Sequence, residues 1–324
     1  MQYRARALAL LAASFSLSAC ADGSGGGTRR DAGGGGGGEL DAFAPLGGDA
    51  GPLPDTGPRP DTGPVTPECE ARAELVYVID RDGGLARFDP RGPSFEDVGT
   101  IDCGTSAEPF SMSVDQDANA WVLFDDHVIR QVSTLDARCT SAAPYEPGSP
   151  YELFGMGFTA AGGGESLFVA GGTFLEVMDT RGLSGTARFG RIEPAARTLT
   201  TVSPDALGGW PELSGNADGQ LFGFFRSSEA FSTITPGRIV ELDPTTGAAR
   251  ETHDLAAMGT GDVRAWAFAF WGARFYVFIQ EQDAPSSDVW RFDPADGSVM
   301  RLLTDTGRGI VGAGVSICAP VELI

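Results

Sequence analysis

Ala265-Trp266-Ala267-Phe268-Ala269-Phe270 alternates small and large side chains at every step. Period-2 alternation belongs to a β-strand, and it puts all the small side chains on one face. A strand needs such a face where another sheet approaches closely, as at the crowded axis of a ring. The pattern returns in Ser111-Met112-Ser113-Val114, in Gly155-Met156-Gly157-Phe158 and in Gly312-Ala313-Gly314-Val315-Ser316-Ile317. Glu212-Leu213-Ser214 is a weaker copy. Unrelated strands of a sandwich would not require small residues at the same place each time.

A second pattern accompanies the first: an apolar strand that ends in an acidic turn. Its copies are Leu85-Ala86-Arg87-Phe88-Asp89-Pro90, Phe189-Gly190-Arg191-Ile192-Glu193-Pro194, Ile239-Val240-Glu241-Leu242-Asp243-Pro244 and Val289-Trp290-Arg291-Phe292-Asp293-Pro294. Val128-Ile129-Arg130-Gln131-Val132 is a fifth copy without the terminal Asp-Pro. Proline after the acidic residue stops the strand, because it has no N–H to give to a ladder. Thr246-Gly247 and Asp296-Gly297 complete hairpin turns in the last two full copies.

The repeats return every 40–50 residues or so, the period of β-propeller blades. Residues 69–324 are therefore expected to form an all-β propeller of five blades, with irregular spacing over residues 171–188 leaving room for a sixth. The region resembles the loosely conserved propellers that carry R-F-D-P strands, and the whole chain resembles propeller-bearing lipoproteins of Gram-negative bacteria. Propellers host many unrelated activities, so the resemblance implies a fold and little about function.

The ends of this region predict how the ring closes. Residues 310–317 form an alternating strand with no later partners, and the first strand, residues 75–79, has no earlier inner strand. The C-terminal strand is expected to supply the inner strand of the first blade. Apart from Cys20, the chain has Cys69, Cys103, Cys139 and Cys318, an even number in a sequence that carries an export leader. Three pairings are open. Ring closure brings Cys69 and Cys318 together, which leaves Cys103 to pair with Cys139 at the outer ends of consecutive repeats.

Cys20 closes that leader. Arg4 and Arg6 precede an apolar run, residues 7–17, too short to span a bilayer as a helix. Leu17-Ser18-Ala19-Cys20 looks like the lipobox of bacterial lipoproteins, which implies a signal peptide over residues 1–20 and an acylated (palmitate-bearing) Cys20. By the same resemblance, Ala21 in place of aspartate favours the outer membrane. Residues 21–68 follow as a disordered linker rich in Gly, Pro and Asp, with Pro54-Asp55-Thr56-Gly57-Pro58 echoed by Pro60-Asp61-Thr62-Gly63-Pro64. A coil of that length averages roughly 40 Å end to end, enough to hold a folded body clear of a membrane.

Composition excludes much chemistry. All 23 basic residues are arginine, so no P-loop or Schiff-base lysine exists. His127 and His253 are the only histidines, too few for a three-histidine metal site. A net charge of -21 argues against nucleic acid, whose phosphates need a basic face.

Few residues suggest a site. Asp115, Asp117 and Asn119 have the spacing of a calcium-loop start, but Ala120 stands where the loop wants glycine, and a hairpin turn explains them more simply. His127 and His253 each neighbour aspartates on exposed elements without a nucleophile nearby. Trp210, beside Gly208 and Gly209, could stack on a ligand at a rim. No catalytic set and no resident cofactor is expected. The expected role is a monomeric, lipid-anchored, non-enzymatic binding or scaffolding module of the cell envelope, with an envelope protein or glycan as partner. The alternatives are a periplasmic hydrolase or lyase using a divalent cation and a polysaccharide-binding or adhesion module.

Overall fold

The inner and second strands are buried on both faces, and this decides how the sheets assemble. The computed structural model describes residues 69–179, 185–230, 233–258 and 263–323; Cys20, the leader and the linker of residues 21–68 lie outside the described residues. The first sheet holds β1 (Val76–Asp80), β2 (Gly84–Asp89) and β3 (Ser94–Thr100). The second holds β4 (Pro109–Val114), β5 (Asn119–Phe124) and β6 (Ile129–Ser133). The third is built from β7 (Leu153–Ala161), β8 (Gly164–Gly172), β9 (Thr186–Glu193) and β10 (Thr198–Gly208). In the fourth, β11 (Glu212–Gly215) and β12 (Leu221–Phe225) lead through a separate ribbon, β13 (Ser228–Ala230) with β14 (Thr233–Thr235), to β15 (Arg238–Leu242) and β16 (Ala249–Asp254). The fifth holds β17 (Val263–Trp271), β18 (Arg274–Glu281), β19 (Asp288–Asp293) and β20 (Ser298–Leu303).

β21 (Ile310–Gly314) then returns to the first sheet, which reads β21-β1-β2-β3. Tyr77 lies opposite Gly314 and Ile79 opposite Gly312, in antiparallel register. The disulfides follow from this closure: Cys69 is bonded to Cys318 and Cys103 to Cys139. The fold is a five-bladed β-propeller. Within residues 171–188 the described part holds no sixth blade: a short helix, α1 (Phe174–Asp179), bridges β8 and β9, and this corrects the open expectation from spacing.

Each alternating sequence is the innermost strand of its blade, and each acidic-turn copy is the third strand. The inner strands β21, β4, β7, β11 and β17 lie side by side in a closed ring. Their small side chains are necessary there. A Cβ added to Gly157 would stand 2.8 Å from the backbone of Leu213 and Ser214, and one on Gly314 would stand 2.7 Å from Cα of Ser113. Serine uses the same proximity: Ser113 Oγ accepts the N–H of Phe158 at 3.1 Å, and Ser214 Oγ accepts that of Phe270 at 2.9 Å.

Opposite faces of each strand feed different interfaces. Val76 and Val78 of β1 pack with Ala267, Ala269 and Phe278 of the fifth blade, while Tyr77 and Ile79 pack with Met112 and Val114 of the second. Trp121 and Leu123 meet Met156 and Phe158 between blades two and three. Phe168 and Phe189 meet Leu213 and Val240 between three and four, and Phe222 and Phe224 meet Phe268 and Phe275 between four and five. The core is thus five clusters, one per interface. Each fully buried aromatic or aliphatic side chain in them contributes about 1.5–3 kcal/mol.

Candidate functional site

The first residues of all five inner strands converge at one mouth of the ring. Pro109 and Phe110 come from β4, Leu153 to Gly155 from β7, Glu212 with the preceding Pro211 from β11, Val263 to Trp266 from β17 and Val311 from β21. Those of β4, β7, β11 and β17 enclose a cavity of about 220 Å³, walled by Phe110, Phe154, Trp210, Trp266, Val177 and Met178. A neighbouring lobe of about 240 Å³ shares Phe110, Met178, Glu212, Arg264 and Trp266 and adds Arg81, Glu108 and Asp125 at the lip. α1, which stands where a sixth blade had room, supplies Val177 and Met178 and leaves Leu175 74 % exposed.

Glu212 is a charged-type side chain placed in an inner strand, and it is only 5 % exposed. One carboxyl oxygen accepts a hydrogen bond from Ser111 Oγ at 2.8 Å, joining blade four to blade two across the axis. Glycine at 155 makes room, since any Cβ there would collide with Pro211 and with Cα of Glu212. Burial holds the Glu212 carboxyl well above the usual carboxylate range, with the Ser111 bond opposing in part. Its second oxygen has no hydrogen-bond partner among the described residues, and Glu212 lines the cavity. The indole N–H of Trp266 is also buried without a partner, and the Arg226 guanidinium lies 4.9 Å from the ring centroid of Trp266.

Trp210 is packed and not a projecting rim residue: it is 7 % exposed, set against Gly172 and Gly185, and its ring forms part of the cavity wall. The calcium-type spacing has a different local use. Asp115 is buried and locks the β4–β5 turn, its carboxylate accepting the N–H of Asn119 at 2.7 Å and the indole N–H of Trp121 at 2.9 Å. Burial raises its pKa, and those bonds oppose the rise. Asn119 opens β5, and Asp117 points its backbone carbonyl to Arg72 at 3.0 Å. Asp115 and Asp117 sit beyond the far ends of the inner strands, away from the mouth. Among the described residues no three acidic, histidine or cysteine groups come together as metal ligands.

Beside this turn, both carboxyl oxygens of Glu165 accept the backbone N–H of Gln116 at 3.0 Å, tying blade three to blade two. Burial pushes Glu165 up to about 8, and Asp115 and Asp117 push it in the same direction. His127 occupies a turn with φ of 67°, its ring 5.9 Å from that of Phe174, and His253 lies in β16 with its ring 5.1 Å from Phe292. The two histidines belong to different blades and neither lines the mouth.

Sequence reading did not single out Glu212 as a site residue. The available signal was its place: it is the one charged residue within the five alternating stretches quoted above.

No protein-family model matches the chain, and no curated protein matches it. Among solved structures it is similar to a chain of a nidogen/laminin complex, with 14 % identity and a TM-score of 0.44 over 75 % of this chain and 80 % of that one. A protein of unknown function from Bacteroides caccae shares 14 % identity, with a TM-score of 0.41 over 74 % of this chain and 84 % of that one. The Dos1 propeller shares 9 % identity, with a TM-score of 0.38 over 74 % of this chain and 58 % of that one. Likenesses this distant concern the fold alone.

Proposed function

We propose that the protein is a lipid-anchored binding module of the cell envelope, with its ligand site at the mouth of the propeller channel. The observation that carries this reading is the mouth cavity itself. Its two lobes together draw on all five blades, their walls are aromatic and aliphatic side chains, and one buried carboxyl, bonded to Ser111 through one oxygen, lines both. A mostly apolar concavity with few convergent polar groups is the usual form of a small-ligand site. The reading is a binding one: the lining of both lobes holds no histidine or cysteine, and the Ser111 hydroxyl beside Glu212 is engaged as a donor to its carboxyl. The lipobox-like stretch ending at Cys20 and the linker behind it support attachment to a membrane through acyl chains, with the propeller held away from the surface.

A thermal-shift screen of the full-length protein against a chemically varied fragment library tests the site. Val263→Trp narrows the cavity from its lip. Fragments that raise the melting temperature of the wild type are expected to lose their effect on this variant. Fragments that stabilise both equally would place binding elsewhere. Fractionation of a Cys20→Ser variant tests the anchor: release from the membrane fraction is expected, and unchanged membrane association would refute it.

A further inference from the structure

We infer that the channel mouth takes the ammonium end of an organic amine, with the charge on Glu212 and the apolar stem between Phe110, Phe154 and Trp266. This rests on the reading of the mouth as a ligand site and adds the chemistry of its occupant.

Four observations point the same way. The Glu212 side chain is 5 % exposed, bonded to Ser111 through one oxygen only, and lines the cavity. A carboxyl bonded through one oxygen only has acceptor capacity to spare, and a donor on the occupant would take it up. The walls are aromatic, and the faces of such rings attract cations. The lip carries Arg81 and Arg264 together with Glu108 and Asp125, two charges of each sign, so Glu212 is the lining group left to pair with a charge on an occupant. The net charge of -21 raises the local concentration of cations around the molecule. An anion would meet the lip arginines, but it offers no donor to Glu212 and cannot form an ion pair with it.

The proton balance is simple. In the empty site burial raises the Glu212 pKa and so favours the protonated carboxyl. Binding of R-NH3⁺ leaves the ligand proton in place and displaces the Glu212 proton to solvent, giving a carboxylate–ammonium pair with no net charge. One proton is released for each amine bound at a pH below the Glu212 pKa of the empty site.

Isothermal titration of the full-length protein with three probes of similar shape tests this: 2-phenylethylamine, 2-phenylethanol and 3-phenylpropionate. The amine is expected to bind at least about tenfold more tightly than the alcohol, a gap of about 1.4 kcal/mol, with no binding of the carboxylate. Titrations in buffers of different ionisation enthalpy should show proton release with the amine and none with the alcohol; this measurement needs no variant. Glu212→Gln, a near-isosteric change, should bring the amine and alcohol within about threefold of each other. Tighter binding of the carboxylate or the alcohol would overturn the amine assignment and leave the mouth a ligand site. An amine affinity unchanged in Glu212→Gln, or amine binding without proton release at a pH where titration of the ligand-free protein shows Glu212 protonated, would remove Glu212 as the contact. Failure of all three probes together with no hit in the fragment screen would remove both this inference and the reading beneath it.

Discussion

Removal of the Cys69–Cys318 bond, by Cys69→Ser with Cys318→Ser, should be the most damaging single cross-link loss in the molecule. The bond spans a sequence separation of 249, against 36 for Cys103–Cys139. In the chain-entropy model a disulfide stabilises by limiting the unfolded chain, by about 2.1 + 1.5R ln n cal/mol/K for a loop of n residues. The long loop gives about 5.5 kcal/mol at 25 °C and the short one about 3.8 kcal/mol. The expected difference is therefore about 1.7 kcal/mol. Ring closure adds a reason for the ordering. The same bond pins Cys318, just past β21, to Cys69, just before β1, so it holds the strand pair that completes the first blade. The Cys69–Cys318 loss corresponds to a fall in melting temperature of roughly 10–20 °C for a domain of this size. Guanidinium unfolding of the wild type and the two double-serine variants, followed by tryptophan fluorescence, measures both losses. Equal losses, or a larger loss from the Cys103–Cys139 pair, would refute the reasoning, because chain entropy and blade closure both place the long loop first.

Four further outcomes follow from the packing and the ionisable groups. Gly157→Ala should cost about 1–3 kcal/mol through overpacking against the next inner strand, whereas Gly164→Ala, with open space around the added methyl, should stay within about 0.5 kcal/mol; equal losses in chemical denaturation would undo the argument for small side chains at the axis. Glu165 has its folded pKa raised from 4.5 to about 8, so the folded state binds the extra proton and stability from this group is full below pH 4.5 and declines as pH rises to about 8; Glu165→Gln should remove that decline in melting temperature measured against pH. Glu176 has the opposite sign: Arg188, through hydrogen bonds at 2.6 and 3.0 Å, holds it at about 2, so its contribution is present above pH 4.5 and is lost as pH falls toward 2. Glu176→Gln should accordingly flatten the acid limb of the same profile, and an unchanged limb would count against it. Trp121→Phe should cost about 1–3 kcal/mol by leaving buried Asp115 without its indole donor, and calcium at about 1 mM, a concentration that fills extracellular sites, should leave the melting temperature of the wild type unmoved.

The ring was legible because its cause is local. A strand at the axis must present small side chains to its neighbour, so Gly155, Gly157, Gly312 and Gly314 announce it residue by residue. The unpartnered strand at residues 310–317 foretold the closure, and closure foretold which cysteines meet. The mouth was not legible, because it takes a few residues from each of five blades separated by tens of positions, and no short motif records their convergence. Trp210 was noticed for its glycine neighbours, yet its role as a wall depends on the distant Gly172 and Gly185. The acidic spacing at Asp115 did not by itself separate a calcium loop from a hairpin turn, because a turn that locks itself with an indole and one that ligates an ion need the same oxygens. Residues 171–188 looked long enough for another blade, but α1 spends part of that length on roofing the mouth.

The borrowed strand of the first sheet also bears on how the chain reaches its native state. Asp80 and Arg308, 228 positions apart, are hydrogen-bonded where that sheet is finished. During synthesis the three strands made first must therefore wait, with an open edge, until the final one emerges. At high concentration that open edge is an invitation: two chains can trade their last strands, each mending the other, and interlocked pairs rather than tangled aggregates become the characteristic fault of refolding.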